Sequence, residues 1–253
     1  MNTNGKKWAL VTGAGRQRVG FHVARALGQR GYSLVLHYRT SAREAAESAV
    51  MLEQEGLEAI LVQADLAEEK QVDHVLATLR QRCGRLDTLV TCASTWQSRK
   101  LEQTTAADYL EAFRTNVLST ALIAQKAGLW MTSQPTGGNI VTVGDWAITR
   151  PYPEYAAYHT SKGSIPTLTR ALAVELGRRN PKVRVNCVEP GPVMLPADLS
   201  PSERAEAIGA TLVQREGTPE HVAQAVLSLV ENDFITGVCL PVDGGRSIWA
   251  LNR

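Results

Sequence analysis

Cysteine is scarce in this sequence: four in 253 residues, at positions 83, 92, 187 and 239. None forms a C-x-x-C pair. Neither a disulfide framework nor a zinc site is expected, and the four read as reduced core or strand-end residues. An excess of one charge is missing too. Lys and Arg total 27 against 25 Asp and Glu, a formal balance of +2, with no block of like charge. That excludes a polyanion-binding face, and nucleic acid with it, but leaves room for one small anionic ligand in a local pocket. No apolar run nears the roughly 20 residues that span a bilayer, so no membrane partner is expected. The opening MNTNGKKWALVTGAG has no apolar signal core and no small-residue cleavage site, which predicts a cytoplasmic protein. Repeats, low-complexity tracts and Pro/Gly/Ser linkers are also lacking. One domain over residues 1–253 follows, behind a polar lead-in at 1–7.

What is present is an alternation of short apolar runs with longer helical patterns. Strands are expected at 8–12, 34–37, 60–63, 88–91, 140–143, 183–188 and 238–242. Most are nearly continuous apolar stretches, as in strands covered on both faces. Between them Val19, Val23 and Leu27 share one helical face, as do Val72, Val75, Leu76 and Leu79. Ile165, Leu168 and Leu172 repeat the pattern, and so do Val222, Val226 and Leu229. Gly31, Gly56 and Gly84 stand where the first three helices should end. This order implies α/β architecture: a single doubly wound Rossmann domain, with a seven-stranded parallel sheet and helices on both faces.

The first strand runs into Thr12-Gly13-Ala14-Gly15-Arg16-Gln17-Arg18-Val19-Gly20, followed by an amphipathic helix. Glycines there let backbone N–H groups approach a pyrophosphate at the helix N-terminus, so a dinucleotide site is expected. An NAD site usually places an acidic residue at the end of the second strand. Here that end reads Tyr38-Arg39-Thr40-Ser41 and holds no carboxylate. The Arg39 guanidinium can grip a 2′-phosphate and the two hydroxyls can donate to it, which favours NADPH. A plainer reading is a solvated loop with Ser41 as helix N-cap, and both can hold at once. Asp65 can accept a bond from an adenine amino group, or cap a helix over 67–82. Tyr158 and Lys162 stand four apart at the start of a helical pattern and so share one face. A nearby ammonium lowers a phenol's pKa and suits it to proton transfer near neutral pH.

Taken together, the 12–20 loop, Asp65, Asn116, Tyr158 with Lys162, Pro190-Gly191 and the closing Thr236-Gly237…Val242-Asp243-Gly244-Gly245 resemble the short-chain dehydrogenase/reductase family. The resemblance covers nearly the whole chain. It implies that Tyr158 carries the proton and that Lys162 binds the nicotinamide ribose and tunes Tyr158. It also implies that Asn116 holds a water in the proton relay, with backbone bonding in the core as its plainer role. The implied NADPH contacts are Gly13, Arg16, Arg18, Gly20, Tyr38, Arg39, Thr40, Ser41, Asp65, Leu66, Ala93, Ser94, Lys162, Pro190 and Gly191. A homotetramer is the implied assembly, with the apolar tail at 247–251 packed across an interface or folded back. No metal is expected.

Position 145, thirteen before the tyrosine, is Asp where the family usually has Ser. A carboxylate there should raise the Tyr158 pKa against the pull of Lys162, the three titrating as a coupled set. That Asp resembles the hallmark of the pteridine reductase branch, as do Arg18-Val19-Gly20, Leu36-His37-Tyr38 and Ala93-Ser94-Thr95-Trp96. The branch implies substrate contacts from Arg18, Ser94, Trp96, Asp145 and Tyr158, with Trp96 stacked on a flat pterin. A loop anchor is the plainer role for Trp96. The expected reaction is hydride transfer from NADPH to a dihydropterin or related folate ring. Three departures qualify it. Gly13 and Gly20 are seven apart, one more than usual, so the loop should bulge near Arg16 and Gln17. Thr91-Cys92-Ala93-Ser94 replaces the usual Asn-Asn-Ala-Gly, and Val193 stands where the branch often has Ser. A short-chain carbonyl reductase is therefore the alternative, and a non-catalytic NADP(H) sensor a remote one. Residues 193–218 correspond to the family's variable substrate lid.

Overall fold

Successive residues of the first strand, β1 (Lys7–Thr12), leave the sheet on opposite sides. Trp8 and Leu10 enter one hydrophobic core, Ala9 and Val11 the other. Both faces are thus covered, which is why the strands read as unbroken apolar runs. The computed structural model describes residues 5–196 and 199–249. The other strands are β2 (Tyr32–Tyr38), β3 (Ala59–Gln63), β4 (Thr88–Thr91), β5 (Gly138–Val143), β6 (Val183–Pro190) and β7 (Cys239–Val242). They form one seven-stranded sheet in the order β3-β2-β1-β4-β5-β6-β7, every pair parallel. The winding reverses between β1 and β4, and sheets of this kind take their ligands outside the carboxyl ends of the strands at that point.

The helices are α1 (Val19–Gln29), α2 (Ala42–Gln54), α3 (Glu69–Cys83), α4 (Ala106–Ala112), α5 (Ser119–Thr132), α6 (Ala156–Gly177), α7 (Pro201–Gly209) and α8 (Pro219–Glu231). α1 and α8 pack together and fill one core with Phe21, Val23, Leu27, Val222 and Val226. α3, α5 and α6 supply Val72, Leu76, Ile123 and Leu176 to the other. Each such buried Leu or Ile contributes about 2 kcal/mol. Gly31, Gly56 and Gly84 do follow the ends of α1, α2 and α3. No described helix is long and apolar enough to cross a membrane.

Some boundaries differ from the sequence expectation. The polar lead-in is shorter, because Lys7 already pairs with Tyr32 in the β1–β2 ladder. Its residues 1–4 lie outside the described ones. Helix α3 starts at Glu69, not 67, and its cap position is Glu68, not Asp65. The reason is a turn in which Asp65 Oδ1 accepts the Ala67 N–H at 3.0 Å. Ser41 does occupy the cap position of α2, but its side chain makes no capping bond. The 193–218 stretch carries α7, started by a capping box between Ser200 and Glu203. Ile248 and Trp249 of the apolar tail are exposed on the single chain; positions 250 and 251 lie outside the described residues.

Candidate active site

Parallel strands end on the same edge of the sheet, so the sequence motifs meet there. Gly13 follows β1, Arg39 follows β2, Asp65 lies beyond β3, Ala93 beyond β4, Asp145 beyond β5, and Gly191 follows β6. At the first of these ends Gly13 takes φ +66°, and a Cβ there would lie 2.8 Å from the Ala93 Cα. Only glycine lets the two chain segments approach so closely. The extra loop residue is absorbed as expected near Arg16, where the Arg18 N–H bonds the Arg16 carbonyl at 2.7 Å. Arg18 caps α1 without a side-chain bond; the Phe21 N–H bonds the Arg18 carbonyl at 2.9 Å, which leaves the Val19 and Gly20 N–H groups to an anion. Arg18, Arg39 and Thr40 are exposed there, and Tyr38 and Ser41 border Gly15. Arg16 is also exposed and pairs with Glu44 of α2 at 3.3 Å.

One residue that carries no assigned role in the Leu36-His37-Tyr38 match holds this loop in place. His37 is buried in β2; its Nδ1 accepts the Gly13 N–H at 3.2 Å, and its Nε2 bonds the Ala64 carbonyl at 3.0 Å. Those partners fix the neutral tautomer with the proton on Nε2. Burial pushes its pKa down to about 4. Its signals in the sequence are a polar residue at the end of an apolar run and its place in the Leu36-His37-Tyr38 match, neither of which gives its partners. Asp65 is engaged as well, with Arg114 donating to it at 2.9 Å. Burial raises its pKa, but the Ala67 and Arg114 bonds outweigh that and hold it below the usual range. Leu66 beside it packs into the core.

The bonds usually supplied by Asn-Asn-Ala-Gly are made differently. The Ala93 N–H donates to the Thr12 hydroxyl at 3.0 Å. Asn116 lies in a wide π-type turn, Phe113–Leu118, that joins α4 to α5. Its Oδ1 accepts from Ser94 Oγ at 3.1 Å and from the Thr95 N–H at 2.8 Å. Its Nδ2 donates to the Thr95 carbonyl at 3.2 Å and to Ser161 Oγ at 2.9 Å. The side chain therefore plays the structural role foreseen for it, tying the 94–95 loop to α6. π-type turns of this kind recur at functional sites.

Tyr158 and Lys162 sit on the first turns of α6, both buried. The Tyr158 hydroxyl donates to Asp145 Oδ2 at 2.5 Å, while Asp145 Oδ1 accepts the Ala147 N–H at 2.8 Å. Lys162 Nζ donates to the Val143 carbonyl at 2.9 Å. The tyrosine pKa is driven well above 10 by burial, then by the Asp145 charge, the Asp145 hydrogen bond and Tyr152. The expected pull of Lys162 does not set the balance, and Asp145 adds to the rise as foreseen. Lys162 itself is lowered, chiefly by burial, against the raising effect of Asp145. Burial also pushes the neighbouring Cys92 thiol up to about 12, so it stays protonated.

Trp96 takes the anchoring role in this structure. It stacks on Tyr155, centroids 4.7 Å apart and planes 13° apart, and its indole N–H donates to Tyr152 at 3.2 Å. It nonetheless remains 46 % exposed. Tyr152 and Tyr155, which motif reading passed over, build an aromatic wall beside Tyr158. On the other side, the Gly191 N–H bonds the Val242 carbonyl at 3.0 Å, with Pro190 opposite Val242 in the ladder. Val193 is buried in the core with α8 and faces Gly217, so it packs where a serine would bond.

Comparison with known proteins finds relatives along nearly the whole chain. Residues 13–247 match the family described as enoyl-(acyl carrier protein) reductase. Carbonyl reductase family member 4 of Danio rerio is 33 % identical over 241 residues, covering 95 % of this chain and 98 % of its own. Versicolorin reductase 1 of Aspergillus parasiticus is 32 % identical over 257 residues, covering 94 % and 95 %. Among solved structures, a dehydrogenase/reductase from Sinorhizobium meliloti 1021 superposes with a TM-score of 0.86 at 31 % identity, covering 95 % of this chain and 94 % of the other.

Proposed function

The chain belongs to the short-chain dehydrogenase/reductase family of oxidoreductases, and from that premise we propose an NADPH-dependent reductase acting on a ketone or aldehyde. The observation that carries the direction of reaction is the 2.5 Å bond from Tyr158 to Asp145. Reduction needs a proton donor at the oxygen that becomes an alcohol. Burial and Asp145 together keep Tyr158 protonated, and so ready to donate. Donation to the substrate oxygen turns the hydroxyl away from Asp145, and the phenolate it leaves is reprotonated from solvent before the next turnover. Lys162 sets a buried ammonium behind the pair, available to ribose hydroxyls. The nicotinamide cofactor of the family supplies the hydride when bound. The residues fit it: Gly13 permits a close backbone approach, and the α1 N-terminus lacks a side-chain cap. Arg39, Thr40 and Ser41 with no carboxylate favour the 2′-phosphate. A single nucleotide-binding domain leaves the substrate over the same sheet, beneath residues 193–218, in a homotetramer of the family's kind.

A second reading keeps the dihydropterin expected from the sequence. Asp145 favours it, because a carboxylate beside Tyr158 can also accept from the ring N–H or amino group of a heterocycle. The relatives named above, a carbonyl reductase and a versicolorin reductase, weigh towards the carbonyl reading. Cofactor oxidation measured with ketones, aldehydes and dihydropterins side by side, using wild type and Asp145→Ser, separates the two. Turnover of carbonyls that survives Asp145→Ser supports the first. Turnover confined to dihydropterins and lost in Asp145→Ser establishes the second. Tyr158→Phe should lower kcat by about 10²–10⁴ in either case. NADPH binding without turnover of any substrate defeats both and favours a sensor.

A further inference from the structure

The cysteines look scattered along the chain, yet the strand register brings two of them together. Cys187 of β6 stands directly opposite Cys239 of β7. Side chains alternate along a strand, so Glu189 leaves β6 on the same face as Cys187. The two sulfurs and a Glu189 carboxylate oxygen lie within 4.8 Å of one another. Glu189 is only 7 % exposed, and among the described residues no donor bonds its carboxylate. Arg170 of α6 acts on it only through its charge. A buried carboxylate without a donor is costly to keep and calls for a partner.

We propose that Cys187, Glu189 and Cys239 bind one divalent cation of the zinc class, with water as fourth ligand, clamping edge strand β7 onto β6. Two thiolates and a carboxylate are a donor set that suits such an ion. Tetrahedral coordination at Zn–S distances of about 2.3 Å sets the sulfurs roughly 3.8 Å apart, so the cluster needs only a small contraction. The Cys187 thiol donates to the Val188 carbonyl at 3.4 Å. Cation binding exchanges the two thiol protons, released to solvent, for metal–sulfur bonds. Three ligand charges are then met by two from the cation and one from Arg170, and the site closes at neutrality. Cys239 is only partly buried and gives the ion a way in. The clamp lies just behind the active site: a Cβ on Gly144, next to Asp145, would fall 3.1 Å from Cys187 Sγ and 3.2 Å from Glu189 Cγ.

Titration of the reduced full chain with Co²⁺ tests this. A sulfur-to-cobalt charge-transfer band should grow to saturation at one equivalent and vanish on adding Zn²⁺. Cys187→Ser and Cys239→Ser should abolish the band. Glu189→Gln, which keeps both thiols, should weaken Co²⁺ binding by about tenfold or more. Circular dichroism and NADPH binding check that each variant is folded, and wild type with Glu189→Gln decides the matter if the cysteine variants are not. Failure of wild type to develop the band, its survival in folded Cys187→Ser, or unchanged affinity in Glu189→Gln overturns the proposal. So does a Cys187–Cys239 disulfide as the state that persists under thiol reductant.

Discussion

Asp145 and His37 are single polar residues whose neighbours decide their chemistry. Asp145 spends one oxygen on the Ala147 N–H and accepts the Tyr158 hydroxyl with the other, so its own turn and its bond to Tyr158 are built by the same carboxylate. His37 does the same for the proposed cofactor loop, and its effect is measurable as stability. Its pKa near 4 in the folded chain lies below the ordinary value near 6.5, because burial disfavours the cation. The unfolded chain therefore takes up the proton first as the pH falls. The stabilisation is complete above about pH 6.5 and is lost progressively towards pH 4, to a total of about 3 kcal/mol. Urea unfolding at stepped pH should show that loss in wild type and a flatter profile in His37→Gln. Identical slopes over that window would mean that His37 is not the group responsible. A protonated Nδ1 could no longer accept the Gly13 N–H, so cofactor affinity should decline over the same range.

The β1–α1 junction shows how much an element owes to one backbone position. At φ +66°, any side chain at Gly13 is strained by about 1–2 kcal/mol, and the Ala93 backbone 2.8 Å away cannot step aside cheaply. Gly13→Ala should therefore leave the sheet folded but weaken NADPH binding by about tenfold or more, as read by fluorescence titration. An unchanged Kd would remove this loop from the cofactor site. Legibility in the sequence follows the same physics. The seven strands and the main helices were readable because burial on both faces leaves nearly continuous apolar runs in the strands, and burial on one face leaves a 3.6-residue period in the helices. Helix starts were less so: α3 begins late because Asp65 bonds Ala67, a choice that depends on Arg114 far along the chain. The π-type turn around Asn116 has no periodic signature, nor does the stacking of Trp96 on Tyr155. Motif residues were legible by type and order, whereas their partners depend on which strands become neighbours. Cys187 and Cys239 show this best, being far apart until the β6–β7 register is known.

At the scale of the whole molecule, the far end of the chain returns to the beginning of the chemistry. Arg246 lies in the turn after β7, half-buried, with its guanidinium 4.5 Å over the ring of Trp146, which directly follows Asp145. The same guanidinium donates to the Ala207 carbonyl on α7 at 2.5 Å, and its own carbonyl accepts from Arg150 at 2.8 Å. One side chain thus joins the closing turn, the proposed lid and the residue that follows Asp145. Cofactor-loop contacts lie at the other side of the crevice and do not involve it. Losing a cation–π contact and a charged hydrogen bond removes roughly 2 kcal/mol of local support for α7. Arg246→Ala should therefore raise the substrate KM by about tenfold while leaving the NADPH Kd nearly unchanged. Arg246→Lys, which keeps the charge but loses the planar fork, should fall between the two. Parallel measurement of KM and Kd decides the point. If both change together, Arg246 supports the fold at large; if neither changes, α7 holds its place without it, and the lid owes its position to the Arg204–Glu216 pair at 2.5 Å instead.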